Sequence, residues 1–314
     1  MAAFLRQVVS SNKFVDFQKQ ASRFTELVTM AWSLRTLPTL TEDQFLQWGK
    51  LLEERTGIQL VFQQKAWLES QIYARLRDMG YTDYDGYYFF VAEESIDSKL
   101  EWARLVDRIA VKETSFFRHR ESIEYVRNYL QQKINNQALS DSFDVWSLGC
   151  ATGEEAYSLA MVVNDCFELA MINPFYGITA MDISPSALAA GRKGRYTKRR
   201  VDQVKPDEAK RYLQVCADGS YEVVNKLRDR VCFTQSNIIN ARQLPQVQVD
   251  VIFCQNLLVY FRRWLRRDVL NALVDRLKPG GLLIVGLGEV MDWEHPDMQR
   301  TSDDQVQAYI RQTN

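Results

Sequence analysis

Two hydrophobic patterns divide the chain. In roughly the first 115 residues, apolar side chains recur at helical spacing. Thr41 and Gln44 form a capping-box pattern at the start of one predicted helix, which Gly57 ends. The pattern predicts a helical N-terminal domain over residues 41–118, followed by a linker helix over residues 119–140. Residues 1–40 are predicted to form a helical extension of one or two amphipathic helices, and they carry no motif that assigns a role.

From residue 141 onward, short apolar runs alternate with helical segments. The runs are DVWSLG, GITAMD, RVCFTQ, DVIFC and LLIVGLG. Such alternation is typical of a parallel sheet with crossover helices, so it predicts a Rossmann-like α/β domain over residues 141–314. Residues 194–224 interrupt the alternation and contain a hairpin signal at Asp218-Gly219. They are therefore predicted to form a small inserted β-subdomain.

The composition is that of a globular protein, with 46% hydrophobic and 25% charged residues. The 39 Lys and Arg residues nearly balance the 40 Asp and Glu residues, which gives a net charge of −1. A nucleic-acid partner is therefore not expected, because phosphate binding generally needs a basic surplus. The chain shows neither a membrane-length apolar run nor a signal-peptide pattern, so we expect a cytoplasmic protein without membrane insertion.

Cysteine and histidine usage narrows the chemistry. The five cysteines lie far apart without a CxxC pair, so neither a disulfide framework nor a zinc site is predicted, and no metal is expected. His119 and His295 are the only histidines. Because the commonest general-base, triad and zinc-site designs depend on histidine, we expect chemistry that needs no imidazole.

A glycine turn follows the first predicted strand, in VWSLGCATGEE. It lacks the GK[ST] of a P-loop and the spacing of GxGxxG. Glu154 and Glu155 lie where a pyrophosphate would need positive potential, which disfavours a nicotinamide dinucleotide and favours a phosphate-free cationic ligand. S-adenosylmethionine has that character. An ordinary strand-to-helix turn is the alternative interpretation.

Polar side chains follow three further strands. Asp182 is placed to accept hydrogen bonds from ribose hydroxyls, or else to cap the next helix. Asn237 and Asn256 follow later strands and are placed to bind the adenine and the methionine portion, or are simple loop residues. Because ligands bind beyond the carboxyl ends of parallel strands, the set together favours a cofactor site.

The motifs resemble those of the chemotaxis-type receptor glutamate O-methyltransferases. The matching stretches run from about residue 40 to residue 290 and are LTEDQFLQWGKLLEERTGIQL, KETSFFRHR, VWSLGCATGEEAYSLAM, AMDISPSALAAGRKGRY, QSNI, DVIFCQNLLVYFRR and LKPGGLLIVGLGE. The resemblance implies methyl transfer from S-adenosylmethionine, which leaves S-adenosylhomocysteine, to glutamate side chains on the cytoplasmic helices of methyl-accepting chemoreceptors. It also implies an enzyme acting in sensory adaptation, and we expect a monomer.

The resemblance assigns site residues by position. It implies a catalytic pair, Arg118 and Tyr260. Taken alone, Arg118 is typical of a surface arginine and Tyr260 of a core aromatic residue. The implied cofactor-binding residues are Lys112, Thr114, Arg118, Gly149, Gly153, Glu155, Asp182, Asn237, Ile238, Gln255 and Asn256.

Methylation of a carboxylate agrees with the shortage of histidine. A glutamate side chain has a pKa of roughly 4.3, so it is ionised near neutral pH and attacks a methyl group without a general base. The enzyme must align the reacting atoms and exclude water. Arg118 is expected to orient the carboxylate, and the Tyr260 hydroxyl to position substrate or cofactor.

The chain departs from the family at several positions. Gln255 stands where the family commonly has Arg, and Lys112 where it has an Asn near the cofactor. The insert lacks the glycines with which some members dock a receptor pentapeptide, so independence of that peptide is predicted. Basic residues cluster at 192–200 and at 262–267, which are either docking surfaces for an acidic receptor helix or solvated faces.

The predicted function is methylation of chemoreceptor glutamates, with Gln255 and the N-terminal extension favouring a type IV pilus twitching pathway over a flagellar one. A cofactor-binding regulatory or scaffold protein with lost turnover is the alternative, motivated by Gln255 and Lys112. A nucleic-acid methyltransferase is disfavoured by the near-neutral charge and the absence of an NPPY-type motif.

Overall fold

A computed structural model describes residues 39–313 of the chain. The helices predicted for the extension, up to residue 38, lie outside the described residues. We number helices and strands in the order in which they occur in the described part.

The N-terminal domain is helical, as predicted. Its first helix begins after Thr41, whose hydroxyl accepts from the Gln44 amide at 3.2 Å while the Gln44 side chain accepts from the Thr41 amide at 3.0 Å. The capping box is therefore present, and the helix ends at Gly57, where φ is +77°. The helices of this domain are α1 (Glu42–Thr56), α2 (Lys65–Asp78), α3 (Tyr84–Ala92) and α4 (Ile96–Ile109), with a 3₁₀ turn at Phe62–Gln64.

The helical domain has its own hydrophobic core. Trp48 and Leu52 of α1 pack with Leu68 and Ile72 of α2 and with Tyr87 of α3, and all five are essentially inaccessible to solvent. One buried carboxylate lies beside this core: Glu101 of α4, which accepts from Arg75 and from the Tyr87 hydroxyl at 2.6 to 2.8 Å. The domain is thus a separately packed unit.

The second domain is built on a seven-stranded sheet. Its strands are β1 (Ser142–Leu148), β2 (Phe175–Asp182), β6 (Val231–Gln235), β7 (Val249–Cys254), β8 (Leu277–Val285), β9 (Met298–Arg300) and β10 (Gln307–Arg311). They are arranged in the order β6-β2-β1-β7-β8-β10-β9. The first five strands of this order are parallel, whereas β10 runs antiparallel to β8 and β9.

Helices cover both faces of this sheet. They are α5 (Arg120–Asn135), α6 (Glu154–Leu169), α7 (Pro185–Lys193) and α11 (Arg263–Val274). Every residue of β7 is buried, as expected for a central strand packed on both sides. The predicted fold class, a Rossmann-like domain preceded by an all-helical one, is confirmed. The two antiparallel strands at the C-terminal edge were not predicted.

The interruption of the alternation forms a separate three-stranded antiparallel sheet. The elements of this region are β3 (Arg195–Tyr196), α8 (Lys198–Val201), α9 (Pro206–Tyr212), β4 (Leu213–Val215) and β5 (Tyr221–Val223), and α10 (Asn225–Arg228) follows it. The strands are arranged in the order β3-β5-β4, and β4 and β5 form a hairpin whose turn contains Gly219 at φ +79°, at the predicted Asp218-Gly219 position. We refer to residues 194–224 as the insert.

Among residues 39–313, the structure contains no helix that is long and apolar enough to cross a membrane.

Candidate active site

A cavity of about 350 Å³ lies between the helical domain and the carboxyl ends of strands β1, β2 and β7. Its sheet-side wall includes most of the residues predicted to bind a cofactor: Thr114, Arg118, Gly149, Glu155, Asp182, Asn237, Ile238, Gln255 and Asn256, together with Tyr260. These residues come from five segments, of which four follow strands β1, β2, β6 and β7 and meet at one edge of the sheet, as the strand-end argument predicted, whereas Thr114 and Arg118 precede β1.

The helical domain supplies the opposite wall, which includes Ile58, Gln64 and Trp67. Two hydrogen bonds join the domains at the rim of the cavity. The Asn237 side chain donates to the carbonyl of Arg55 at 2.7 Å, and the Gln59 amide donates to the carbonyl of Tyr260 at 2.9 Å. The cavity is thus enclosed by two domains.

The glycine turn places backbone amides beside Asp182. Gly149 has φ +74° and Ala151 has φ +47°, and this left-handed path lets the Ala151 amide donate to Asp182 Oδ2 at 2.8 Å. The Ser184 amide donates to Oδ1 at the same distance, at the start of α7. Asp182 therefore holds both turns in place while lining the cavity. The N-cap of α7 is Ser184, whose hydroxyl accepts from the Ala187 amide at 3.1 Å, so the interpretation of Asp182 as the helix cap is wrong. Burial raises the pKa of Asp182 despite the bonds from the Ala151 and Ser184 amides.

The two acidic residues after the turn have different surroundings. Glu154 is fully buried away from the cavity, where Arg200 and the Thr152 hydroxyl contact it. Glu155 lines the cavity and accepts from the Ser147 hydroxyl at 2.7 Å. Burial raises the pKa of Glu155 to about 8, and the Arg118 charge lowers it only in part. An opposite charge placed beside such a carboxyl would favour its ionised form.

Arg118 and Tyr260 face the same cavity from different elements. Arg118 lies in the irregular segment between α4 and α5, is exposed, and donates to the carbonyl of Glu113 at 2.9 Å. Tyr260 lies in the 3₁₀ turn Leu258–Tyr260 after β7 and is half-buried. Burial raises the pKa of Tyr260 and the charge of Arg118 opposes that rise, so the hydroxyl is protonated near neutral pH.

The end of β7 holds two amide side chains. Gln255 is 5% exposed, and its Nε2 donates to the Ser122 hydroxyl at 2.7 Å while its Oε1 has no hydrogen-bond partner. Asn256 adopts φ +56°, and its side-chain nitrogen lies 2.9 Å from Nε2 of His119. One of the two histidines therefore contacts a residue of the cavity wall, a contact that the sequence interpretation missed.

Lys112 and Gly153 are not in the cavity wall. The Lys112 ammonium pairs with Asp107 at 3.2 Å and donates to the Ser186 hydroxyl at 2.8 Å. Gly153 has φ +93° and packs against Phe233, where a Cβ atom would lie 2.7 Å from the ring. Lys112 therefore ties α4 to α7, and Gly153 allows helix and ring to pack closely.

The two basic clusters make many internal contacts. Arg192 donates to the carbonyl of Phe233 at 2.7 Å, and Arg195 pairs with Asp218 at 3.0 Å. In the second cluster, Arg262 pairs with Glu53, and Arg263 pairs with Asp292. The exposed positive charge of both clusters is therefore smaller than the sequence suggested.

The described residues contain no group of three or more His, Cys, Asp or Glu side chains that could hold a metal ion.

Comparison with known proteins identifies two family models along the chain. The model described as CheR methyltransferase, all-alpha domain, matches residues 43–110, and the model described as CheR methyltransferase, SAM binding domain, matches residues 112–308.

Three curated relatives carry the name chemotaxis protein methyltransferase. The protein of Vibrio cholerae, numbered 2, is 26% identical over 80% of this chain and 87% of its own length. That of Borreliella burgdorferi is 27% identical over 80% of this chain and 89% of its own. That of Escherichia coli is 28% identical over 80% of this chain and 85% of its own.

Proposed function

The chain belongs to the CheR methyltransferase family, and from this premise we propose that it methylates glutamate side chains on the cytoplasmic helices of methyl-accepting chemoreceptors. The predicted family is confirmed, and so is the cofactor, S-adenosylmethionine. What remains a proposal is the glutamate substrate, the receptor partner and the role of each residue.

The cavity fits the cofactor's chemistry. S-adenosylmethionine carries a sulfonium, an ammonium and two ribose hydroxyls, and it supplies an electrophilic methyl group. Glu155 offers a half-buried carboxyl that lines the cavity and is hydrogen-bonded by a single hydroxyl in the described structure, which suits the ammonium. Asp182 suits the ribose hydroxyls, since two backbone amides fix its carboxylate at the rim of the turn. We assign the adenine to Asn237 and Ile238 and the methionine portion to Thr114, Gly149 and Asn256.

Arg118 and Tyr260 serve the acceptor. A glutamate carboxylate is ionised near neutral pH, so the protein must orient it rather than deprotonate it. Arg118 is a cation that is exposed and lines the cavity, and there it binds the incoming carboxylate. The protonated Tyr260 hydroxyl is a hydrogen-bond donor on the same wall. The single observation that carries the proposal is this convergence of Arg118 and Tyr260 with Glu155 on one cavity.

The experiment is transfer of labelled methyl from S-adenosylmethionine to a panel of purified receptor cytoplasmic domains. Mild base releases methanol from a carboxyl ester and from few other methyl adducts. We expect base-labile label on a receptor, and we expect Arg118→Ala and Tyr260→Phe to lower the transfer rate at least about tenfold. Arg300→Ala and Tyr221→Phe, which lie outside the cavity wall and outside both basic clusters, are the matched controls. Equal rates in all four variants would contradict the residue assignment.

A regulatory protein without turnover is the second candidate. The observation that favours it is the unpartnered Oε1 of Gln255, at a position where the family commonly has arginine. Cofactor binding with no label on any receptor in the panel would favour this function over catalysis.

The pathway is a finer proposal. The hairpin of the insert turns through Cys216 and Ser220, whose backbone groups pair at 2.8 Å, and it carries a single glycine between its strands. We therefore propose that receptor methylation here does not depend on a docked C-terminal pentapeptide. From Gln255 and the N-terminal extension, we separately propose that the pathway is the one serving type IV pili. Methylation of truncated receptors that lack their last residues tests the first point.

A further inference from the structure

The insert contacts the segment that carries Thr114 and Arg118. This segment, residues 111–119, has neither helix nor strand structure. Nη1 of Arg200, in α8, donates to the carbonyl of Thr114 at 2.6 Å. The Tyr196 ring of the insert packs edge-on against Phe116, with ring centroids 5.0 Å apart. The insert thus holds part of the wall of the cavity.

Arg200 also reaches the start of α6. The same Nη1 lies 3.1 Å from Oε1 of Glu154, which is fully buried. One guanidinium therefore joins three parts of the molecule: the insert, the active-site segment and the helix that follows the glycine turn. Arg200 therefore makes structural contacts, although the sequence analysis placed it in the basic cluster at residues 192–200.

The segment needs such an anchor. Phe117 adopts φ +50°, a conformation that a non-glycine residue keeps only when its surroundings hold it. The Phe117 amide donates to the Ser158 hydroxyl at 3.0 Å, which fixes one point. The contact of Arg200 with the Thr114 carbonyl fixes a second point, on the side nearer the cavity.

We propose that Arg200 is a positioning residue, through which the insert holds the segment 111–119 in the geometry that binds S-adenosylmethionine. The inference rests on the proposed function, because it takes Thr114 and Arg118 to lie beside the cofactor. It gives the insert a role inside the enzyme that is separate from any docking of receptors.

The test is cofactor affinity of the full-length protein by calorimetry, together with thermal unfolding. Arg200→Met removes a charged hydrogen bond, and we expect the Kd for S-adenosylmethionine to rise about tenfold. Lys198→Met and Arg199→Met, exposed neighbours in the same helix, are the matched controls and should leave the Kd within about twofold of the native value.

Glu154→Gln separates positioning from stability. Arg200→Met leaves the buried Glu154 charge unpaired, so a lower Tm is expected from that cause alone. The double variant Arg200→Met/Glu154→Gln no longer has a buried Glu154 charge, so its Tm should recover. Its Thr114 carbonyl still lacks the hydrogen bond from Arg200, so the Kd should stay raised. Recovery of the Kd together with the Tm would overturn the proposal, and so would a native Kd in Arg200→Met. Failure of the native protein to bind the cofactor would instead contradict the site itself.

Discussion

Binding of S-adenosylmethionine should be strongly pH-dependent because of Glu155. Burial raises the pKa of this carboxyl to about 8 from an ordinary value of 4.5, a difference that corresponds to about 5 kcal/mol. The folded protein therefore binds this proton more tightly than the unfolded chain does. The contribution of Glu155 to the free energy of unfolding is therefore most favourable below pH 4.5, and it becomes less favourable as the pH rises towards 8.

Binding of the cofactor should offset the cost of ionising Glu155 in the folded protein. Its ammonium favours the ionised carboxylate, so binding at pH 7 should release a proton from the roughly 0.9 of molecules in which Glu155 is protonated. With a pKa of about 8, the ionised fraction of Glu155 increases by more than an order of magnitude between pH 6 and pH 7.5. Affinity should therefore rise by about an order of magnitude over this range, because the cofactor's own α-amino group begins to lose its proton only at the upper end.

Calorimetry in buffers with different ionisation enthalpies measures both the affinity and the proton release. Glu155→Gln should bind more weakly, with little pH dependence and little proton release. Glu168→Gln, on the exposed end of the same helix, should behave as the native protein does. A native affinity as flat with pH as that of Glu155→Gln, or uptake of a proton on binding, would refute the reasoning.

Two further predictions concern glycine packing and histidine. Gly153→Ala should lower the free energy of unfolding by about 3 kcal/mol, because the new Cβ meets the Phe233 ring at 2.7 Å and φ is positive. Gly219→Ala, where φ is also positive but the space is open, should cost about 1 kcal/mol in the same urea titration, and equal costs would exclude the packing argument. His119→Ala should raise the Kd for the cofactor about fivefold, since it removes the contact that orients the Asn256 amide. In an Asn256→Ala background the same change should have no effect, and a full effect there would show that His119 does not act through Asn256.

The strand-end residues could be predicted because their position follows from local pattern. A run of apolar residues that alternates with helices fixes where Asp182 and Asn256 lie, since parallel strands end at one edge. The side of the cavity formed by Trp67 could not be predicted in this way. It depends on how the helical domain docks on the sheet, and that docking is set by contacts such as the one between Asn237 and Arg55.

Other differences arise from packing between residues far apart in sequence. Lys112 is in the family's cofactor motif, but its ammonium finds Asp107 and Ser186, and Ser186 is 74 positions away. Gly153 has the positive φ that is common in ligand-binding turns, but the Phe233 ring occupies the space where a ligand would approach it. His119 lies 137 positions from the amide that it contacts, and its only sequence signal is its place directly after Arg118.

The pairing of Asn237 with Arg55 and of Glu53 with Arg262 has a consequence for inheritance. Each contact takes one partner from the helical domain and one from the sheet domain, but Arg55 contributes its backbone carbonyl, whereas Glu53 and Arg262 contribute their side chains. A recombination event that exchanged only one domain between family members would keep a backbone carbonyl at position 55 but would separate Glu53 from Arg262. A change at Glu53 should therefore be accompanied by a compensating change at Arg262, whereas the residue type at position 55 should vary independently of Asn237.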